Sequence, residues 1–139
     1  MQINFTHKPS SNLDSGMYIK ILVAITKADP SNGEPEKEYV RRQANGLHVN
    51  FNRVWSETDK SFEIGQVKVT RQTALTVLRD CIVLASLDDN YSLTERERIL
   101  TYAQKLRIPL ADINSLEKWV STKKDLEKQW KKILAGELI

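Results

Sequence analysis

Met17, Ile21, Ala24, Ile25 and Ala28 recur at helical spacing, with Asp14 or Ser15 placed to cap the first turn. The same run is dense in β-branched residues, so on its own it also reads as a strand. Downstream, Leu75, Leu78, Ile82 and Ala85 form one helical stripe, and Ile99, Ala103 and Leu106 form another. Between these two lies the turn composition "DDNYS", so the pair predicts an αα-hairpin. Laying residues 20–49 over 79–108 settles the first run. The two segments align without a gap, matching Asp29 with Asp88, Glu36 with Glu95, Glu38 with Glu97, Ala44 with Ala103 and Leu47 with Leu106. Two copies of one helix-hairpin unit are the economical reading.

The remaining segments are set by punctuation. Residues 1–16 are polar and broken by Pro9 and Gly16, which predicts a flexible lead-in. A first repeat over 17–56 is followed by a connector over 57–70, where helical periodicity is lost and Thr70 stands ready to cap the next helix. The second repeat occupies 71–120. Pro109 interrupts it, and Asp112 is placed to cap a helix carrying Ile113, Leu116, Trp119 and Val120. Residues 121–139 continue or restart as a last helix, with Leu126, Trp130, Ile133 and Leu134 expected to face inward and Gly136 near its end. The expectation is a single all-α domain, a compact bundle of about six to seven helices built from two pseudo-symmetric hairpins.

Composition narrows the class without naming it. Of the 139 residues, 40% are hydrophobic and 28% charged, ordinary for a globular chain that buries a core. A net charge of +3 does not by itself call for nucleic acid. The N-terminus lacks an apolar signal core, and no apolar run approaches the ~20 residues that cross a bilayer, so a cytoplasmic protein is expected. Cys81 is the only cysteine; it lies beside the stripe of Leu78 and Ile82 and reads as a buried small hydrophobe. With His7 and His48 far apart in role, no zinc cluster assembles. No nucleophile elbow, Walker loop or dinucleotide fingerprint is present, so the expectation is a protein that is not an enzyme and takes no organic cofactor.

The acidic loops hold the remaining chemistry. Ser92 and Glu95 fit a capping box, and Thr94 with Glu97 fits one two residues later. Asp88 is not explained this way. It falls near the C-terminal end of its helix, where a negative charge is mildly unfavourable, and Asp29 repeats the placement. Either a nearby cation or an arginine would offset both. A cation held by such oxygens would be hard, Ca²⁺ or Mg²⁺. An EF-hand is excluded: counted from Asp88, its sixth and twelfth positions are Leu93 and Ile99, and from Asp29 they are Glu34 and Val40.

An Asp followed seven residues later by Glu, between apolar helices and with Ala-x-x-Leu beyond, resembles the TerB-like domain of the tellurite-resistance group. The likeness covers most of residues 17–120 and occurs twice. It implies an all-helical bundle with internal pseudo-symmetry, a link to tellurite and other stresses, and a divalent-cation site. Carried over by position, that site comprises Asp29, Glu36, Asp88 and Glu95, with Asp89 and Glu97 as auxiliary groups. The family's Gly after the Asp is replaced here by Pro30 and Asp89. The resemblance also implies a protein partner. A second reading uses Lys123, Lys124, Lys128, Lys131 and Lys132, near Trp119 and Trp130, to meet a protein, nucleic acid or an acidic membrane surface. A solvated amphipathic helix with its tryptophans packed inward is the plainer expectation, which leaves no specific nucleic acid and no supported membrane association.

Overall fold

A computed structural model describes residues 13–29, 33–65 and 67–136. Six helices stand among them: α1 Ser15–Ala28, α2 Glu34–Gly46, α3 Phe51–Glu57, α4 Arg71–Ala85, α5 Leu93–Lys105 and α6 Leu110–Leu134. The all-α expectation holds. His7 and Pro30 lie outside the described residues.

α1 forms because its first turn is capped, Asp14 Oδ1 accepting from Met17 N at 2.8 Å. Its β-branched run is helical because every side of it is covered. Ile19 and the five residues from Ile21 to Ile25 are completely buried. A helix apolar all round belongs in the interior, and α1 packs against α2, α3, α4 and α5. Residues 1–12 of the expected lead-in lie outside the described residues; in its remainder Leu13 is buried and residues 15 and 16 belong to α1.

The second and fifth helices match closely. Each is 13 residues long, and their positions differ by 59 throughout. Val40 and Ile99, and Ala44 and Ala103, occupy the core from equivalent positions. Both helices end alike. Val49 N donates to Ala44 O at 2.9 Å and Ile108 N to Ala103 O at 2.8 Å, across His48 and Arg107 at φ 59° and 62°. α4 carries the expected cap, Thr70 Oγ1 accepting from Thr73 N at 3.2 Å. Cys81 is fully buried, and burial pushes its thiol far above the ordinary value.

Two features depart from the sequence-based expectation. α3 stands where no separate helix was expected. Asn50 caps it, and the ammonium of Lys27 donates to the carbonyls of Trp55 and, at 2.7 Å, Thr58 at its far end. Lys27 also lies 4.7 Å from the centre of the Trp55 ring. The other departure is at the start of α6, which is entered from Pro109, so that Asp112 sits in the first turn rather than at the cap and pairs with Arg71 at 2.8 Å; residues 121–134 continue this helix, one of the two courses expected. Ile113 and Val120 anchor α6 in the core. Arg96 to Glu117 at 2.9 Å and Lys124 to Asp89 at 2.6 Å hold it from outside. Beyond Val120 the inward expectation fails. Leu126, Trp130, Ile133 and Leu134 are 52–66% exposed, and Trp119 is half exposed. The pattern correctly marked an apolar stripe, but the body ends before that stripe does.

The connector is tied down by Ile64, which is buried, and by Tyr102, whose hydroxyl donates to Phe62 O at 2.7 Å. Replacing Tyr102 by Phe removes that bond while keeping the ring. The variant should lose about 1 kcal/mol in urea unfolding and be cut faster by protease within residues 58–70.

Candidate acidic site

Helix ends position every acidic residue of interest. Asp29 is the C-cap of α1 and is only 4% exposed. Three residues past the end of α4, Asp88 is exposed, its Oδ1 accepting from Asn90 N at 2.9 Å. Glu95 opens α5 as a capping box. Its Oε1 accepts from Ser92 N at 3.0 Å and Ser92 Oγ at 2.9 Å, while Glu95 N donates to Ser92 Oγ at 3.2 Å. Glu36 opens α2 with half of that arrangement, Oε2 accepting from Gly33 N at 2.9 Å. Gly33 has no side chain to return the bond.

Capping accounts for one oxygen of each glutamate but not for their burial. Glu95 is 1% exposed and Glu36 3%. Burial raises the Glu95 carboxyl, its bonds to Ser92 oppose the shift, and the charges of Asp29 and Asp88 raise it further, to about 7. The two aspartates, one from each hairpin, therefore lie near enough to Glu95 to act on it. Glu36 Oε1 is buried and receives no hydrogen bond, an arrangement that costs free energy unless something offsets it. Glu36, Asp88 and Glu95 form no ion pair among the described residues.

The auxiliary residues point elsewhere. Asp89, at φ 60°, takes the left-handed conformation for which glycine is the usual choice. Its carboxylate meets Lys124 at 2.6 Å and Lys128 at 3.6 Å, which lowers its pKa. It is thereby committed to α6 rather than to Glu95. Glu97 is exposed and lines a shallow recess with Ala28, Lys60 and Arg98.

The donor set is all oxygen, and Glu36 Oε1 is a buried acceptor of the kind a hard cation satisfies. Among the described residues, however, no group of three or more acidic, histidine or cysteine side chains is gathered at metal-binding distance. The residues fit a cation in chemistry but do not form a closed coordination shell as folded.

A second polar cluster escaped the sequence-based expectation. Asp80 is buried, accepts from Tyr18 Oη at 2.8 Å and pairs with Arg79 at 3.0 Å. Burial raises its pKa, with Tyr18 and Arg79 opposing. The available signal was an ionisable pair inside an apolar helical run, "LRDCI".

No family model, curated protein or solved structure matches the chain.

The capping turn ties stability to pH. Glu95 binds a proton more tightly folded than unfolded, so its ionisation destabilises the fold. That penalty is absent below the ordinary glutamate value of 4.5, grows as pH rises through the interval to about 7, and stays constant above it. Glu95→Gln keeps the cap without the charge, so it should stabilise the protein at pH 8 by up to about 3 kcal/mol and flatten this part of the stability–pH curve. Ser92→Ala should instead cost about 1 kcal/mol at pH 4 and more at pH 8, where the ionised Glu95 loses the bond donated by Ser92 Oγ. Chemical denaturation between pH 4 and 8 measures both.

Proposed function

We propose that this is a TerB-like, non-enzymatic protein of the stress-response type whose working centre is the acidic cluster of Asp29, Glu36, Asp88 and Glu95. Its ligand is a hard divalent cation, Ca²⁺ or Mg²⁺, and cation occupancy is read by a protein partner. One observation carries the reading: carboxylates are buried at the ends of both hairpins, and one oxygen, Glu36 Oε1, has no hydrogen-bond partner. Burying like charges together is costly, and capping needs only one oxygen of each glutamate. A cation would offset the charge that a proton on Glu95 otherwise neutralises. Asp29 and Asp88 contribute charge beside Glu95, and Glu36 contributes an oxygen that is already desolvated.

The alternative, an adaptor gripping nucleic acid or an acidic membrane by the lysines of α6, has weaker support. Lys124 and Lys128 are engaged with Asp89, and Lys124 also donates to Ser86 O. These two ammonium groups already belong to the body of the protein.

Calorimetric titration of chelator-treated protein with Ca²⁺, Mg²⁺ and Mn²⁺ tests the proposal. Binding should raise the melting temperature and release protons below pH 7, giving heats that vary with the buffer. Asp88→Asn should weaken binding roughly 10–100-fold. An absence of heat and melting shift with all three ions, or wild-type affinity in Asp88→Asn, would sink the assignment.

A further inference from the structure

The outer stripe of α6 has a spacing its own body does not use. Leu116, Trp119, Lys123, Leu126, Trp130 and Ile133 succeed one another at intervals of 3, 4, 3, 4 and 3, the rhythm of a coiled-coil seam. Leu116 is half-buried against the core, while Trp119, Leu126, Trp130 and Ile133 are 48–59% exposed. The seam spans 18 residues, about 27 Å of helix. The other lysines of this half, Lys124, Lys128, Lys131 and Lys132, fall outside it. A helix lying on an acidic membrane carries lysines on the borders of its apolar face. Here the charges sit on the far side, as on the outer surface of a paired helix.

We propose that this seam pairs with the same seam of a second copy, with the two α6 helices antiparallel. Charge selects the occupant and the direction. In a parallel pair Lys123 would face Lys123. Run antiparallel, the seam is self-complementary when paired positions sum to 249: Leu116 meets Ile133, Trp119 meets Trp130, and Lys123 meets Leu126. The ammonium of Lys123 then comes beside Glu127 of the second copy, a charge match repeated by the two-fold axis. Trp130 of the second copy stacks on Trp119, which lines a groove of about 620 Å³ with Tyr39, Leu47, Val83 and Lys123. The overhanging half of α6 thus covers its twin and reaches the body beside it. This pairing does not depend on the acidic site.

Sedimentation velocity on the full chain tests the mass. The proposal requires twice the 16.0 kDa of one chain, falling to a single chain in Leu126→Glu and Trp130→Glu; both sites are exposed, and circular dichroism should show the fold retained. Glu127→Lys should also dissociate the pair, and adding Lys123→Glu should restore it. Direction is tested by oxidative cross-linking: an equimolar mixture of Lys123→Cys and Leu126→Cys chains should cross-link more than either alone. A single-chain mass up to hundreds of micromolar protein overturns the proposal. So does preferential cross-linking of Leu126→Cys with itself, which reports a parallel pair. Binding of a single-chain species to phosphatidylserine vesicles, abolished by Trp130→Glu, assigns the stripe to a membrane and equally overturns it.

Discussion

Everything else in this structure is arranged around a helix whose central run, Ile21 to Ile25, is wholly buried. The central residues of α1 are buried in every direction, so helices must surround it, and α2, α3, α4 and α5 each do. A chain of this length supplies that cover only by bringing distant segments together. The cover extends to the helix end, which carries the negative pole of the backbone dipole and, at Asp29, a carboxylate held from water. The burial of Asp29 is thus a by-product of core packing. A helix whose flanks must all be covered delivers its C-terminus into the same interior that receives the start of α5.

Much of this was legible in the chain. The apolar stripes predicted helices where α1, α4 and α5 stand, and the cap residues Asp14, Thr70 and Ser92 were readable because capping is local chemistry. Asp29 was singled out only through comparison with Asp88, and the two then differ: one is buried and the other exposed. Other features depended on distant contacts. At seven residues, α3 is too short to display a period, and its far end is held by Lys27 from another helix. The pairing of Asp89 with Lys124 joins residues 35 apart. Periodicity showed that one side of α6 is apolar, but a period cannot say what meets that side. Leu126 and Trp130 carry the same signal as Ile113 and Val120, with opposite burial.

Neighbouring parts of the structure therefore handle charge in opposite ways. Near α6, carboxylates are matched by cations at the surface: Asp89 by Lys124, Glu117 by Arg96, Asp112 by Arg71. Such exposed pairs are individually weak and chiefly set orientation. At the junction of the hairpins, carboxylates are desolvated and Glu95 sits close to its titration point. The first arrangement resists modest changes of pH; the second responds to them. Small changes in proton activity accordingly act on Glu95 at the start of α5 and leave the fastening of α6 intact.

The buried thiol of Cys81 gives the molecule an internal clock. A thiol reagent acts on the thiolate, and Cys81 is both sealed in the core and held protonated. Modification must await an opening that exposes the core. Its rate then reports how often the helices around α1 part, and anything that fastens them slows the clock without touching the sulfur. Among the protein's side chains this lone thiol offers a direct chemical measure of how long the core stays closed.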